Sequence, residues 1–332
     1  MRPNPRHPRL ILFRWANLCA SILAWMNEPD RISGVLSPVC TPFKADLSVD
    51  ADRFVRHCRW LLSQNAGLAV FGTNSEANSL STQERMQLLD RLVLGGVTPH
   101  RLMPGVGCCA ITDTVKLTRH AVSVGCAGVL MLPPFYYKDV SDEGLYRSFA
   151  EVIDRVGDSR LRVYLYHIPG IAQVPITLGL TERLLKAYPK QIVGMKDSSG
   201  DWNNTKAFLD AFASSGFDVF VASETFLLRN MRNGGRGCIS ATANVNPGPI
   251  AKLHEIWQTS EADAHQERLD EIRRVFQKFP MIPALKASIA HYAREASWGI
   301  VRPPLLALSL EKTAALLAEL KEKAFTMPGL AA

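Results

Sequence analysis

From Gly34 onward the chain alternates short apolar, β-branched runs with longer stretches whose apolar residues recur at helical spacing. This alternation, more than any single residue, limits what the chain can fold into. Strands separated by helical segments of a dozen residues do not form hairpins; they run parallel, joined by crossover helices. Eight runs qualify: GVLSPVCTP from Gly34, GLAVFG from Gly67, RLMPGVG from Arg101, GVLMLPP from Gly128, RVYLYHIP from Arg162, IVGMKDSS from Ile192, DVFVAS from Asp218 and GCISATAN from Gly237. Between them, DADRFVRHCRWLL (Asp50–Leu62) and STQERMQLLDRLV (Ser81–Val93) read as amphipathic helices, and Ser81 with Glu84 has the spacing of a capping box. Eight such units close into a (β/α)8 TIM barrel, with an open doubly wound sheet as the alternative. Beyond about Pro249 the alternation stops, and the segments near Ala284–Glu295 and Leu310–Ala324 read as added helices. The expected organisation is an N-terminal extension over residues 1–33, a barrel over 34–258 and a C-terminal helical extension over 259–332.

The extension is the awkward region. Leu10–Met26 is apolar and follows basic residues, like a signal peptide, but Arg14 interrupts it and no small-residue cleavage site follows. A poorly ordered or peripheral segment is expected, and no membrane anchor. The formal charge of +7 draws on Arg2, Arg6, Arg9 and Arg14, with no acid among the first 25 residues. No basic stripe interleaved with aromatics follows, so nucleic acid is not an expected partner. Seven cysteines, two of them adjacent (Cys108 and Cys109), fit neither a disulfide framework nor spaced metal ligands; reduced thiols and a cytoplasmic location are expected.

In a barrel of this kind chemistry collects at the C-terminal strand ends. There the sequence places CTPF (Cys40–Phe43), GTNSEANSLS (Gly72–Ser81), PPFYYK (Pro133–Lys138), YHIPG (Tyr166–Gly170), MKDSSGD (Met195–Asp201) and ISATANVNP (Ile239–Pro247). Lys196 closes an apolar run, where an ammonium is costly to desolvate. It is either paired with Asp197 or another acid, or it is an amine tuned for nucleophilic attack. Tyr166 tilts the balance toward the second reading, because a phenol can relay protons if a hydroxyl chain holds it in line. Thr73 and Tyr137, or the adjacent Tyr136, stand at two other strand ends and can supply that chain.

Taken in order, GTNSEANSLSTQER, PPFYYKDVSDEGLYRSF, YHIPG, GMKDSSGD and GCISATANVNP resemble the successive motifs of the dihydrodipicolinate synthase and N-acetylneuraminate lyase family, the class I pyruvate-dependent aldolases. The resemblance covers nearly the whole chain beyond the extension. It implies Lys196 as the Schiff-base lysine and Tyr166 as the general acid/base. It also implies a hydroxyl relay of Thr73 and Tyr137, the tyrosine offered by the neighbouring subunit of a tight dimer. Thr73 and Asn74 would hold the pyruvate carboxylate, with Ile239 a further substrate contact. The implied assembly is a homo-oligomer, dimer or homotetramer, and the implied chemistry needs no metal or organic cofactor.

Departures from the family pattern carry information of their own. Asn74 and Ser75 replace a second threonine and a glycine, so Ser75 is expected to adopt a loop conformation usually given to glycine. Gly170, Ile171 and Ala172 stand where dihydrodipicolinate synthases carry an arginine for the carboxylate of the aldehyde partner, which disfavours that particular synthase. His167 replaces an asparagine and reads as a packing residue or a substrate contact, the packing role being favoured. The expected function is therefore a Schiff-base lyase or aldolase joining pyruvate and an aldehyde or cleaving a 2-oxo-3-deoxy acid. Alternatives are a dehydratase using the same imine, the true synthase, and a non-catalytic barrel that binds 2-oxo acids. Two rivals are weaker. PGVGCCA (Pro104–Ala110) matches a dinucleotide fingerprint but no acidic residue closes the next strand. A metal-dependent aldolase would have only Glu76, Asp197 and His167 to draw on.

Overall fold

Seven parallel strands form one curled sheet among the described residues: β1 (Gly34–Ser37), β2 (Gly67–Leu68), β3 (Val129–Met131), β4 (Val163–His167), β5 (Ile192–Asp197), β6 (Asp218–Val221) and β7 (Gly237–Ile239). Their order is β2-β1-β7-β6-β5-β4-β3. Every residue of the seven is buried, as expected of a parallel sheet covered on both faces and written in continuous apolar runs. The structure, a computed structural model, describes residues 31–330; the Leu10–Met26 stretch and nearly all of the expected extension lie outside the described residues.

The edge strands β2 and β3 are bridged by the segment predicted as the third strand. The Met103 N–H donates to the Leu68 carbonyl (2.9 Å) and the Gly105 N–H to that of Val70 (2.7 Å), while the Val106 N–H donates to Leu130 (3.0 Å). Leu68–Leu102 and Gly105–Leu130 pair as parallel bridges. The segment is not a regular strand because Pro104 brings no N–H to the ladder. Its glycines are needed for close packing: a Cβ on Gly105 would lie 2.2 Å from the Phe71 carbonyl oxygen, and one on Gly107 2.5 Å from the Leu132 backbone. Strand packing, not a pyrophosphate, accounts for the glycine spacing.

Crossover helices follow the predicted periodicity. Helix α1 (Ala51–Ser63) is capped by Asp50, which accepts from the Arg53 N–H at 2.9 Å, and buries Phe54, Val55, Cys58 and Leu61 on one face. Each such side chain contributes roughly 1.5–3 kcal/mol relative to exposure. Helix α2 (Thr82–Leu94) starts with the expected capping box: the Glu84 N–H donates to Ser81 Oγ (3.1 Å) and the Ser81 N–H to Glu84 Oε2 (2.8 Å). There follow α3 (Ile111–Val124), α4 (Asp142–Val156), the four-residue α5 (Pro169–Ala172), α6 (Leu178–Ala187), α7 (Trp202–Phe212), α8 (Leu227–Arg232) and α9 (Pro247–Ile256). After these come α10 (Ala262–Gln277), α11 (Met281–Ala293) and α12 (Leu310–Glu322). In α11 the consecutive residues Pro283 to Ile289 are all buried, Lys286 among them, which marks a helix enclosed on every side. Among the described residues no helix is long and apolar enough to cross a membrane.

Glu84 also accepts from the Arg302 guanidinium at 2.5 Å, and that hydrogen bond, more than any other contact, holds its carboxyl below the ordinary value. A lowered folded-state pKa stabilises the fold above the unfolded pKa and loses that contribution as acid titrates the group. The stability gap between wild type and Glu84→Gln, measured by urea unfolding, is therefore expected to be widest at neutral pH and to close below about pH 4. Ser81→Ala, which removes the reciprocal half of the box, is expected to cost about 1 kcal/mol in the same assay.

Candidate active site

Successive residues of a strand face opposite sides of the sheet, so Lys196 and Asp197 of β5 cannot share an environment. The register of β4 against β5 sets Tyr166 opposite Lys196 and His167 opposite Asp197. Two separate constellations result.

On one face, Lys196 (3% exposed) and Tyr166 (4% exposed) lie together at the strand ends. The Lys196 ammonium donates to the Tyr166 hydroxyl at 3.4 Å and stands 4.5 Å from the centre of its ring. Thr73 Oγ1 lies 3.0 Å from the same hydroxyl, so Thr73, Tyr166 and Lys196 form one continuous chain. Lys196 has no ion-pair partner among the described residues. The acid that the alternative reading would pair with it is engaged elsewhere: Asp197 accepts from the Ser199 N–H (2.9 Å), Ser199 Oγ (3.1 Å), Asn204 Nδ2 (3.1 Å) and Thr205 Oγ1 (2.6 Å). Asp197 shapes the loop into α7 and is not the lysine's counterion.

His167 belongs to that second constellation. Its Nδ1 accepts from the Ile176 N–H at 3.0 Å, its ring is tilted against Phe208, and burial, opposed by Asp197, lowers its pKa. The expected packing role fits these contacts.

Thr73 opens a 3₁₀ turn, Thr73–Ser75, which the Glu76 N–H closes by donating to the Thr73 carbonyl (3.1 Å). Ser75 was expected to take the glycine-like conformation, but the left-handed residue is Glu76 (φ 56°, ψ 36°). Ser75 is buried within the turn: its hydroxyl accepts from the Gly72 N–H (3.2 Å) and its carbonyl from Thr41 Oγ1 (2.7 Å). Asn74 is half-buried in the same turn. Ile239 is fully buried in β7.

Tyr137 is not brought into the chain of hydroxyls within this chain. It is 73% exposed in the loop after β3 and meets Tyr136 edge-on at 5.4 Å. Beside it, the Lys138 ammonium donates to the Phe135 carbonyl and, at 2.9 Å, to that of Ala172. The loop carrying Gly170 and Ile171 thus has no arginine of its own, yet a lysine from the adjacent loop reaches its end. This cation was not anticipated, although its place after the tyrosine pair was the available signal.

Two buried clusters also escaped sequence reasoning. Glu76 pairs with Lys286 of α11, both side chains fully buried, and its other carboxylate oxygen accepts from the Arg302 N–H at 3.0 Å. Desolvation lowers the Lys286 pKa, with Glu76 opposing it. At the ends of β6 and β7, Glu224 accepts from the hydroxyls of Ser240 and Thr242 and pairs with Arg273 at 3.4 Å. Among the described residues no group of three or more His, Cys, Asp or Glu side chains is placed to hold a metal ion. Glu76 and Asp197, considered above as ligands, are committed to Lys286 and to the loop into α7.

The sequence profile of the Dihydrodipicolinate synthetase family matches residues 31–323. Among curated relatives, an uncharacterized DapA-like lyase of Chloroflexus aurantiacus is 32% identical over 88% of this chain and 96% of its own length. A 4-hydroxy-tetrahydrodipicolinate synthase of Gluconacetobacter diazotrophicus is 31% identical over 74% of this chain and 82% of its own. Among solved structures, dihydrodipicolinate synthase from Agrobacterium tumefaciens superposes with a TM-score of 0.79 at 31% identity, over 88% of this chain and 99% of that one. YagE, a prophage protein of the dihydrodipicolinic acid synthase family from Escherichia coli K12 solved in complex with pyruvate, gives 0.82 at 25% identity, over 89% and 99%.

If Asp197 serves the loop and not the lysine, Asp197→Ala is expected to lower unfolding stability by about 1–3 kcal/mol, the cost of leaving buried donors unpaired. Chemical denaturation of the variant beside wild type measures it.

Proposed function

Because the chain belongs to the Dihydrodipicolinate synthetase family, a family of lyases, we propose that it is a class I lyase in which Lys196 forms an imine with pyruvate and so makes or breaks a carbon–carbon bond to an aldehyde. The observation that carries this reading is the buried Lys196 amine, 3.4 Å from the Tyr166 hydroxyl and without a carboxylate beside it.

The free amine attacks C2 of pyruvate, and its proton passes through the Tyr166 hydroxyl to the C2 oxygen. A second proton lets that oxygen leave as water, and an imine remains. The protonated imine draws electrons, so a C3 proton is lost and an enamine forms. In the synthetic direction C3 of the enamine attacks the aldehyde carbon while Tyr166 protonates the developing alkoxide; cleavage is the reverse. Water then adds to the imine and releases Lys196. General acid/base participation of this kind supplies about 10²–10⁴ in rate. Thr73 holds the Tyr166 hydroxyl in line at 3.0 Å, and its turn offers backbone N–H groups and Asn74 to the pyruvate carboxylate. Tyr137, exposed on its own chain, extends the relay of a neighbouring copy in a dimer or tetramer under this reading. The frame is a (β/α)8 barrel over residues 34–258 with a C-terminal helical extension over 259–332, working in the cytoplasm.

Condensation with an acidic semialdehyde, the reaction of relatives named 4-hydroxy-tetrahydrodipicolinate synthase, is the second reading. Lys138 favours it, since its ammonium reaches the Ala172 carbonyl in the loop that lacks the arginine. Loss of a hydroxyl from a 2-oxo-3-deoxy sugar acid uses the same imine. A screen of such acids for pyruvate release separates cleavage from dehydration.

Incubation with pyruvate and borohydride, followed by digestion and mass spectrometry, is expected to find the reduced adduct on Lys196. Lys196→Ala is expected to give no adduct and no turnover, and Tyr166→Phe to keep slow adduct formation while losing at least about 10²-fold in turnover. A wild-type protein that binds pyruvate but is never modified would be a binding barrel, and the proposal would fall.

A further inference from the structure

Glu76 and Lys286 lie 210 residues apart and form an ion pair with both side chains at 0% exposure. Burying opposed charges is costly, and a well-packed apolar pair of the same volume is usually no less stable. Fold stability alone therefore does not account for the pair. We propose that Lys286 is a positioning residue: through Glu76 it fixes the Thr73–Ser75 turn, and with it the hydroxyl that Thr73 presents to Tyr166. The inference rests on the reading of Lys196, Tyr166 and Thr73 given above.

The geometry links the pair to the turn at several points. Glu76 is the residue that closes the turn, through its N–H to the Thr73 carbonyl at 3.1 Å. It does so in a left-handed conformation (φ 56°), which a side chain adopts only where its surroundings impose it. Both carboxylate oxygens are occupied, one by the Lys286 ammonium and the other by the Arg302 N–H at 3.0 Å. The ammonium is itself held by the Ile300 carbonyl at 2.7 Å and lies 4.4 Å from the centre of the Phe43 ring. Arg302 covers the same ring at 4.6 Å and continues to the Ser79 carbonyl (2.6 Å) and the Glu84 carboxylate (2.5 Å). The segment from Glu76 to Glu84 is thus gripped at both ends by α11 and the chain that follows it. None of these contacts touches Lys196 or Tyr166; Thr73 is the member of the hydroxyl chain whose turn the network holds.

The test compares wild type with the charge-free double variant Glu76→Gln/Lys286→Met, using pyruvate alone as probe. Borohydride trapping at saturation counts competent Lys196 amines, and quenching at intervals gives the rate and half-saturation of imine formation for each competent site. A positioning role predicts that half-saturation rises about tenfold, the loss of one charge-assisted hydrogen bond to the carboxylate, and that the limiting rate falls about 10²-fold, the effect of a misplaced relay. Lys286→Arg, which keeps the cation, is expected to recover part of both. A staple that served only the fold would lower the melting temperature and the number of competent sites while leaving rate and half-saturation per site at wild-type values; that result overturns the proposal. Glu76→Gln, which keeps shape and one acceptor oxygen, carries the same comparison if the double variant does not fold. Failure of wild type to be trapped removes the Lys196 reading and this inference together, whereas a trapped wild type with an unaltered variant removes the inference alone.

Discussion

The pairing of two parallel strands carries the site. Four consecutive residues of β4, Tyr164 to His167, are in register with β5, and because side chains alternate along each strand, the pairing that sets Tyr166 beside Lys196 must also set His167 beside Asp197. A one-residue slip would exchange the two faces and deliver a carboxylate to the phenol and an ammonium to the loop. The same register therefore keeps the lysine away from the acid that follows it in sequence. The separation of amine and carboxylate comes from backbone geometry, and no repulsion is needed to maintain it.

Much of this was legible in the sequence because it depends on short-range pattern. Alternating strand and helix segments named the fold class, and the Ser81–Glu84 spacing named a helix start that the structure reproduces atom by atom. Strand ends on the C-terminal side located Lys196 and Tyr166, and adjacency of their strands in the chain made adjacency in space the natural expectation. The third strand was less well read. RLMPGVG is apolar enough, but Pro104 in its middle removes a donor, so the segment bridges its neighbours without forming a regular strand.

What was not legible is long-range. Lys286 sits in the apolar stretch MIPALKASIA, and its partner lies in a loop two hundred residues earlier; only the folded chain reveals that the charge is paired. The conformation assigned to Ser75 falls one residue later, on Glu76, whose side chain is held by that distant ammonium. Lys138 shows a milder case: its own loop predicts a surface lysine, and only packing against the end of α5 shows that it takes up a carbonyl there.

The bridging segment 102–106 makes the wall of the curled sheet uneven. Where β4 meets β5 the ladder runs unbroken from Tyr164 to His167; at the seam beside β2, contact is made through isolated bridges around a proline. Gly72 and Thr73 leave the sheet at that thin seam. The turn that begins at Thr73 therefore leaves the sheet where strand pairing is thinnest, and the contacts that hold it come from α11 and the chain after it as well as from the sheet.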